Sequence, residues 1–365
     1  MPAARPSFFL RADLDRARLP VVLLSGFLGA GKTSLVNTLL RHPSMARTAV
    51  AVNEFGAIPL DADLIDHGAD KTVVMANGCL CCNLAGDMEE AVMRVFTRRE
   101  AGDMPAFDRL IIEPSGLADP APIAQGILRN PVISRALRLE AIVTVVDALF
   151  GEDHITRFAE TRKQIALADT ILVSKADLVD TATVEQLILR IGRLNPAASV
   201  RIIDPRGRHG SLDSRVSPLD LFPASFLDAD ALPAAMTAAR AGFQADGGTD
   251  LDGHASDYVA LSLTADRPLD WHRFETWLRS VRLPHSERLL RLKAMLDIAG
   301  SEGPVVLHGI HHVLHPAVEL DRWPDEMRRS RLVLIVEQEL AGAIRASWAN
   351  ALPGLIVAAA SVRAG

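Results

Sequence analysis

Eight consecutive residues constrain this chain more than any others: Gly26-Phe27-Leu28-Gly29-Ala30-Gly31-Lys32-Thr33 satisfies G-x-x-x-x-G-K-[ST] at every fixed position. The flanks fit, because residues 19–25 (LPVVLLS) form the short apolar, β-branched run of a buried parallel strand and Ser34 opens a helical stretch. Strand, glycine loop and helix in that order define a phosphate-binding loop. Gly26, Gly29 and Gly31 let the backbone wrap close enough for its N–H groups to face phosphate oxygens, and the helix start adds its dipole. Lys32 is placed to reach the β- and γ-phosphates, and Thr33 to offer its hydroxyl to Mg²⁺, with Ser34 completing the loop.

The rest of the chain must cover that loop and give it work. With 365 residues against roughly 100–200 per domain, two domains are expected. A net charge of -6 gives no electrostatic reason to expect nucleic acid, and a single Tyr argues against stacking platforms for single strands. The brief Phe8-Phe9-Leu10 run is interrupted by Arg11 and Asp13, too short for a signal peptide, and no stretch is long and apolar enough to span a membrane. A cytoplasmic location without a membrane partner is therefore expected.

Short apolar runs alternate with amphipathic stretches over the first half of the chain, the pattern of an α/β fold with a mostly parallel sheet covered by helices. Strands are expected at residues 19–25, 48–53, 72–75, 110–113, 141–147, 170–174 and 200–203. Helices are expected at 33–41, 88–100, 120–127, 162–168 and 181–195. Periodicity then fades into Gly, Asp, Ser, Ala and Pro, as in GGTDLDGHASD at 247–257. A second pattern starts at Tyr258, with strands at 258–263, 289–299, 303–312 and 330–337 and helices at 269–281 and 341–351. It reads as a small α+β domain on an antiparallel sheet. The organisation expected is an N-terminal extension (1–18), a P-loop domain (19–225), a linker (226–256), a C-terminal domain (257–350) and a tail (351–365).

Four further clusters carry chemistry. Glu54, in Val52-Asn53-Glu54-Phe55-Gly56, and Asp61 follow the second strand, where a nucleotide-sensing loop commonly lies; either can orient water or bind Mg²⁺ through water. Leu110-Ile111-Ile112-Glu113-Pro114-Ser115-Gly116 is an apolar strand ending in an acid, followed by a glycine whose N–H can approach a γ-phosphate. Ser174-Lys175-Ala176-Asp177 is similar to the guanine-reading N-K-x-D motif, with Ser in place of Asn. A carboxylate at Asp177 can accept from both N1–H and N2–H₂ of guanine, so GTP is expected, while the Ser174 departure softens that selectivity.

All three cysteines fall in Cys79-Leu80-Cys81-Cys82, which leaves no distant partner for a structural disulfide. Three thiolates converging on one ion select Zn²⁺, with Co²⁺ or Cu⁺ as the other candidates, and leave a tetrahedral position open for exchange. The run from Val306 to Pro316 gathers His308, His311, His312 and His315 of the eleven histidines. On one continuous strand His308 and His312 would share a face and His311 would take the other, so the four cannot all meet one ion without a bend.

Taken in order, GFLGAGKT, VNEFG, CLCC, IIEPSGLADP, SKAD and HGIHHVLHP followed by RSRLVLIV resemble the CobW-like family of metal-handling P-loop GTPases, relatives of the urease and hydrogenase nickel-insertion GTPases. The resemblance covers nearly the whole chain, and C-x-C-C between switch region and acid-tipped strand is its most specific element. It implies a metal-ligand role for Cys79, Cys81 and Cys82, a Walker B role for Glu113 and Gly116, and a base-reading role for Asp177. Two departures stand out: Ala57 follows NEFG where many members carry a glutamate, and the linker keeps only His254 where many carry a histidine tract. The activity implied is a GTP-hydrolysing metallochaperone that passes its ion to a client metalloprotein. A nucleotide-binding zinc sensor and a P-loop small-molecule kinase are its rivals.

Overall fold

A computed structural model describes residues 9–11, 18–40, 42–45, 47–52, 73–76, 97–99, 101–103, 106–203, 258–324 and 328–351. The chain divides into two compact units, the first built on Arg18–Ile191 with residues 198–203, the second containing the described residues from Tyr258 onward together with residues 9–11 and Gly192–Ala197.

Leu10–Arg11 forms a two-residue strand, β1. The first unit then runs β2 (Leu19–Gly26), α1 (Lys32–Leu40), β3 (Thr48–Val52), β4 (Val73–Ala76), β5 (Arg109–Glu113), α2 (Pro120–Arg129), α3 (Ile133–Ala136), β6 (Leu137–Asp147), α4 (Gly151–Arg157), α5 (Ala159–Leu167), β7 (Thr170–Ser174), α6 (Thr181–Leu194) and β8 (Ser199–Ile202). Its seven strands follow the order β4-β3-β5-β2-β6-β7-β8, and every pairing among them is parallel. Burial explains why these strands read as unbroken apolar runs rather than alternating ones: β3 and β7 are buried at all five positions, because helices cover both faces. Val22, Leu24, Val50, Ile111 and Val143 pack on one face with Leu35, Val36 and Leu39 of α1.

Helix starts follow local chemistry. Asp119 caps α2 by accepting from the Ala121 N–H at 2.9 Å, with Pro120 at the first helical position, where a missing N–H costs nothing. The short helices α3 and α4 were not expected from sequence, because four and seven residues are too few to show helical periodicity. The expected helix at 88–100 lies mostly outside the described residues, as does the linker.

The second unit runs β9 (Tyr258–Ala265), α7 (Trp271–Arg282), β10 (Leu289–Leu296), β11 (Val305–Ile310), β12 (Val313–Leu314), β13 (Val318–Glu319), β14 (Ser330–Glu337) and α8 (Ala341–Ala351). The path β13-β11-β10-β14-β9 is antiparallel throughout, with β12 folded back on β11. β1 adds to β13 as a parallel edge strand, and neighbouring Phe9 meets the Trp271 ring edge-on at 4.8 Å. Leu261, Leu263, Leu292, Leu334 and Val336 face Phe274, Trp277, Leu278, Ile344 and Trp348 of the two helices. Trp277 and Trp348 meet edge to face at 4.6 Å, and Trp277 Nε1 donates to Ser347 Oγ at 3.0 Å. Among the described residues no helix is long and apolar enough to cross a membrane.

Candidate nucleotide site

Parallel register gathers the polar strand ends at one edge. Leu23 of central β2 lies level with Ile112 of β5, Gly26 with Val145 of β6, and Asp147 of β6 with Ser174 of β7. After β2 the chain lays β3, β4 and β5 on one side of it and then crosses to lay β6, β7 and β8 on the other, so this edge is the topological switch point at which open parallel sheets bind ligands.

The glycine loop spans the mouth of that crevice. Gly29 and Gly31 hold φ of 73° and 96°, in the left-handed region, and Gly26 holds 142°. A Cβ on Gly26 would lie 2.4 Å from the Val145 carbonyl oxygen, so both conformation and space demand glycine there. The loop closes through Ala30 N–H to the Phe27 carbonyl, and α1 begins with Leu35 N–H to the Gly31 carbonyl. Lys32 is buried, and its Nζ donates to the carbonyls of Gly26 and Phe27 at 2.9 and 3.3 Å.

Thr33 Oγ1 donates to Glu113 Oε1 at 2.8 Å, joining the loop to the end of β5 across 80 residues of sequence. Hydroxyl and carboxylate together form an all-oxygen donor pair, the chemistry of a hard cation such as Mg²⁺. Past Glu113, Gly116 lies so close to the loop that a Cβ there would come within 2.6 Å of the Leu28 nitrogen. The same segment is also held by α5: Gln164 Nε2 donates to the carbonyls of Gly116 and Ala118, both at 3.1 Å, and Lys163 pairs with Asp119 at 2.7 Å.

On the far side of the loop, Ser174 Oγ donates to the Ala30 carbonyl at 2.6 Å. The serine that stands where N-K-x-D has asparagine therefore ties β7 to the phosphate loop. Lys175 follows with φ of 56°, and its Nζ pairs with Asp147 Oδ2. Asp147 is buried and its other oxygen accepts from the Leu149 N–H at 2.7 Å. Asp177 sits in a short 3₁₀ turn, Ala176–Leu178, and is also buried.

The structure thus brings together Gly26, Gly29, Gly31, Lys32, Thr33, Ser34, Glu113, Gly116, Ser174, Lys175 and Asp177 along one edge. Glu54, Asp61, Cys79, Cys81 and Cys82 lie outside the described residues. Sequence reasoning missed Asp147 and Gln164. Asp147 carried a usable signal, since it ends an apolar strand as Glu113 does. Gln164 carried only a weak one, a buried amide immediately before Ile165-Ala166-Leu167.

The histidine run takes a different form from the continuous strand expected. β11 ends at Ile310, His311 turns the chain with φ of 52°, and β12 returns antiparallel, so alternation breaks before His312. A left-handed residue and a tight reversal replace the extended backbone that would have put His308 and His312 on one face. His308 and His315 meet instead, with ring centroids 5.9 Å apart and the His315 N–H donating to the His308 carbonyl at 2.9 Å. His308 is buried; desolvation first, then His315, Arg291 and Lys293, hold its pKa well below the ordinary histidine range. Among the described residues no three His, Cys, Asp or Glu side chains converge as a metal site.

A phosphate loop at the switch point of a parallel sheet, with an acid-tipped neighbouring strand, defines a P-loop nucleotide-binding domain, here followed by an antiparallel α+β domain. Residues 20–201 match the CobW/HypB/UreG nucleotide-binding domain and residues 258–352 the cobalamin synthesis protein cobW C-terminal domain, and the chain belongs to this family. It is 31% identical over 335 residues to zinc chaperone YjiA of Escherichia coli, covering 91% of this chain and 98% of that one. It is 33% identical over 227 residues to zinc-regulated GTPase metalloprotein activator 1 of Schizosaccharomyces pombe, covering 59% of this chain and 52% of that one. The solved structure of Zn(II)-bound YjiA GTPase superposes with a TM-score of 0.65 at 25% identity, covering 92% of this chain and 99% of that one.

Proposed function

We propose that this chain hydrolyses GTP and uses the nucleotide cycle to load and release a soft transition metal, zinc first among them, for a client metalloprotein. The observation that carries the nucleotide half is the Thr33–Glu113 hydrogen bond behind a loop with three positive-φ glycines. The metal half rests on the CLCC sequence and on the zinc-chaperone names of its relatives.

The loop N–H groups wrap the phosphates, and Lys32 exchanges its two carbonyl partners for β- and γ-phosphate oxygens. Thr33 and Glu113 would hold Mg²⁺, which supplies charge neutralisation on the phosphates when bound. Gly116 approaches the γ-phosphate, Glu54 or Asp61 orients the attacking water, and Asp177 accepts the two donors of guanine, with Ser174 and Lys175 shaping that end of the site. Cys79, Cys81 and Cys82 bind the cargo ion as thiolates, and the sequence between Glu54 and Glu113 that contains them responds to the γ-phosphate.

Phosphate release from GTP and from ATP, measured for wild type and Lys32→Ala, tests the first half; turnover of GTP that survives Lys32→Ala refutes it. Zinc affinity against a competing chelator, with GDP and then with a non-hydrolysable GTP analogue, tests the second. Tighter zinc binding with the analogue is expected, lost in Cys81→Ala, and linkage requires the analogue to bind more tightly by the same factor when zinc is present. Equal zinc affinity in both nucleotide states overturns the chaperone cycle.

A further inference from the structure

The segment following Glu113 is gripped by two elements. Gly116 abuts the phosphate loop, its backbone packed where a Cβ would strike the Leu28 nitrogen at 2.6 Å and its Cα at 2.8 Å. Separately, α5 supplies the paired Gln164 donation to the Gly116 and Ala118 carbonyls and, one residue earlier, the Lys163 ammonium to Asp119. Gln164 is 1% exposed. Two carbonyl oxygens on one side of the amide leave a single orientation for it, with Nε2 facing the segment, and Oε1 has no partner among the described residues. A buried amide that leaves its own oxygen unanswered in order to donate twice to one loop is costly as packing alone. Gln164 also lines, with Phe27 and Ala30, a small cavity beneath the phosphate loop.

We propose that Gln164 is a positioning residue for the triphosphate state: it locks the Gly116 backbone against the phosphate loop so that this segment meets a γ-phosphate without first reorganising. The inference rests on the reading of the site as a GTPase. Because a trans peptide carries its N–H opposite its C=O, tying the Gly116 carbonyl to α5 turns the Leu117 N–H away from α5, where it donates to Ser115 Oγ at 3.4 Å. A diphosphate makes no demand on this segment. Loss of Gln164 must therefore discriminate between the two nucleotides, which a general loosening of the domain would not.

The test uses the full chain with Mg²⁺, as wild type, Gln164→Met and Lys163→Gln. Met keeps the length and approximate volume of the side chain and removes both donors. Affinities for GDP and for a non-hydrolysable GTP analogue are measured by titration, and hydrolysis in a single turnover. For Gln164→Met, GDP affinity should stay within about 2-fold while analogue affinity and the hydrolysis rate each fall on the order of 10-fold, as expected for lost hydrogen bonds in a preorganised site. Lys163→Gln removes the half-exposed second grip without touching the core, so it should shift the analogue-to-GDP ratio in the same direction by about 2-fold to 4-fold. Equal losses for GDP and analogue, or no loss for either, overturn the inference. Should the Met variant fail to fold, an unchanged ratio in Lys163→Gln overturns it alone. Absence of GTP turnover in wild type overturns the GTPase reading and this inference together, whereas wild-type turnover with an unshifted Gln164→Met overturns only the inference.

Discussion

Both units bury charged and polar side chains among apolar strands, yet among the described residues the two sheets place them differently. In the parallel sheet Glu113, Asp147, Ser174 and the loop after Gly26 all stand at strand ends, and parallel pairing brings those ends to the same edge. In the antiparallel sheet Arg291, Lys293 and His308 lie within β10 and β11, with Lys293 directly opposite His308. There neighbouring strands run in opposite directions, so successive strand ends go to opposite edges and their chemistry is dispersed. The parallel sheet gathers Glu113, Asp147 and Ser174 at one crevice, while the antiparallel sheet keeps a histidine neutral first by burial, with His315, Arg291 and Lys293 adding to the effect.

Breaking the crevice should have the largest effect. Gly26→Ala places a methyl 2.4 Å from the Val145 carbonyl oxygen at a φ of 142°, so it should abolish GTP turnover and nucleotide binding, read by phosphate release and titration. The corresponding blow to the second unit is Trp348→Ala, which empties a fully buried site against Trp277. It should cost about 3–5 kcal/mol in denaturant unfolding, measured by Trp fluorescence, and should leave the phosphate loop's own hydrogen bonds intact.

The buried histidine supplies a sharper contrast. His308 stays neutral in the folded state, whereas the unfolded chain protonates it near the ordinary value of 6.5. Below that pH the unfolded state binds the extra proton, so this contribution to stability is complete above about 6.5 and is lost as pH falls, by at most about 1.4 kcal/mol per pH unit. Denaturation midpoints between pH 7 and pH 5 should fall less steeply in His308→Gln than in wild type; equal slopes would show that His308 does not distinguish the two sheets. The smallest effect is expected for Ser174→Ala, which removes the 2.6 Å bond to the Ala30 carbonyl. A cost of roughly 0.5–1.5 kcal/mol should appear as weaker GDP binding in the same titration.

Much of this was legible before any coordinates. The spacing of Gly26, Gly29, Gly31 and Lys32 is local, and a positive φ at all three glycines follows from the loop they must form. The runs that form β2, β3, β5, β6 and β7 stand out as unbroken hydrophobic stretches because strands covered on both faces lose their alternation. The acid tip of β5 was visible for the same reason, as a charge terminating such a run.

What stayed hidden depended on partners distant in sequence. Ser174 looked like a weakened base reader until its hydroxyl met the Ala30 carbonyl 144 residues away. Gln164 falls in the helix expected at 162–168, and nothing local marks the Gly116 carbonyl 48 residues away as its partner. β1 could not be assigned from two residues, because what makes them a strand is the edge of β13 that they join. The strand expected to run to His312 ends at Ile310, because a left-handed His311 and a hairpin reversal are invisible in a string that reads as continuous strand. Sequence by itself determined the phosphate loop, the alternation of strands and helices, and the two-part architecture, since each is written in residue spacing within a few turns of chain. Only the tertiary structure decided which side chains hold the loop in place, because a hydrogen bond between distant segments exists only once the strands between them have taken their register.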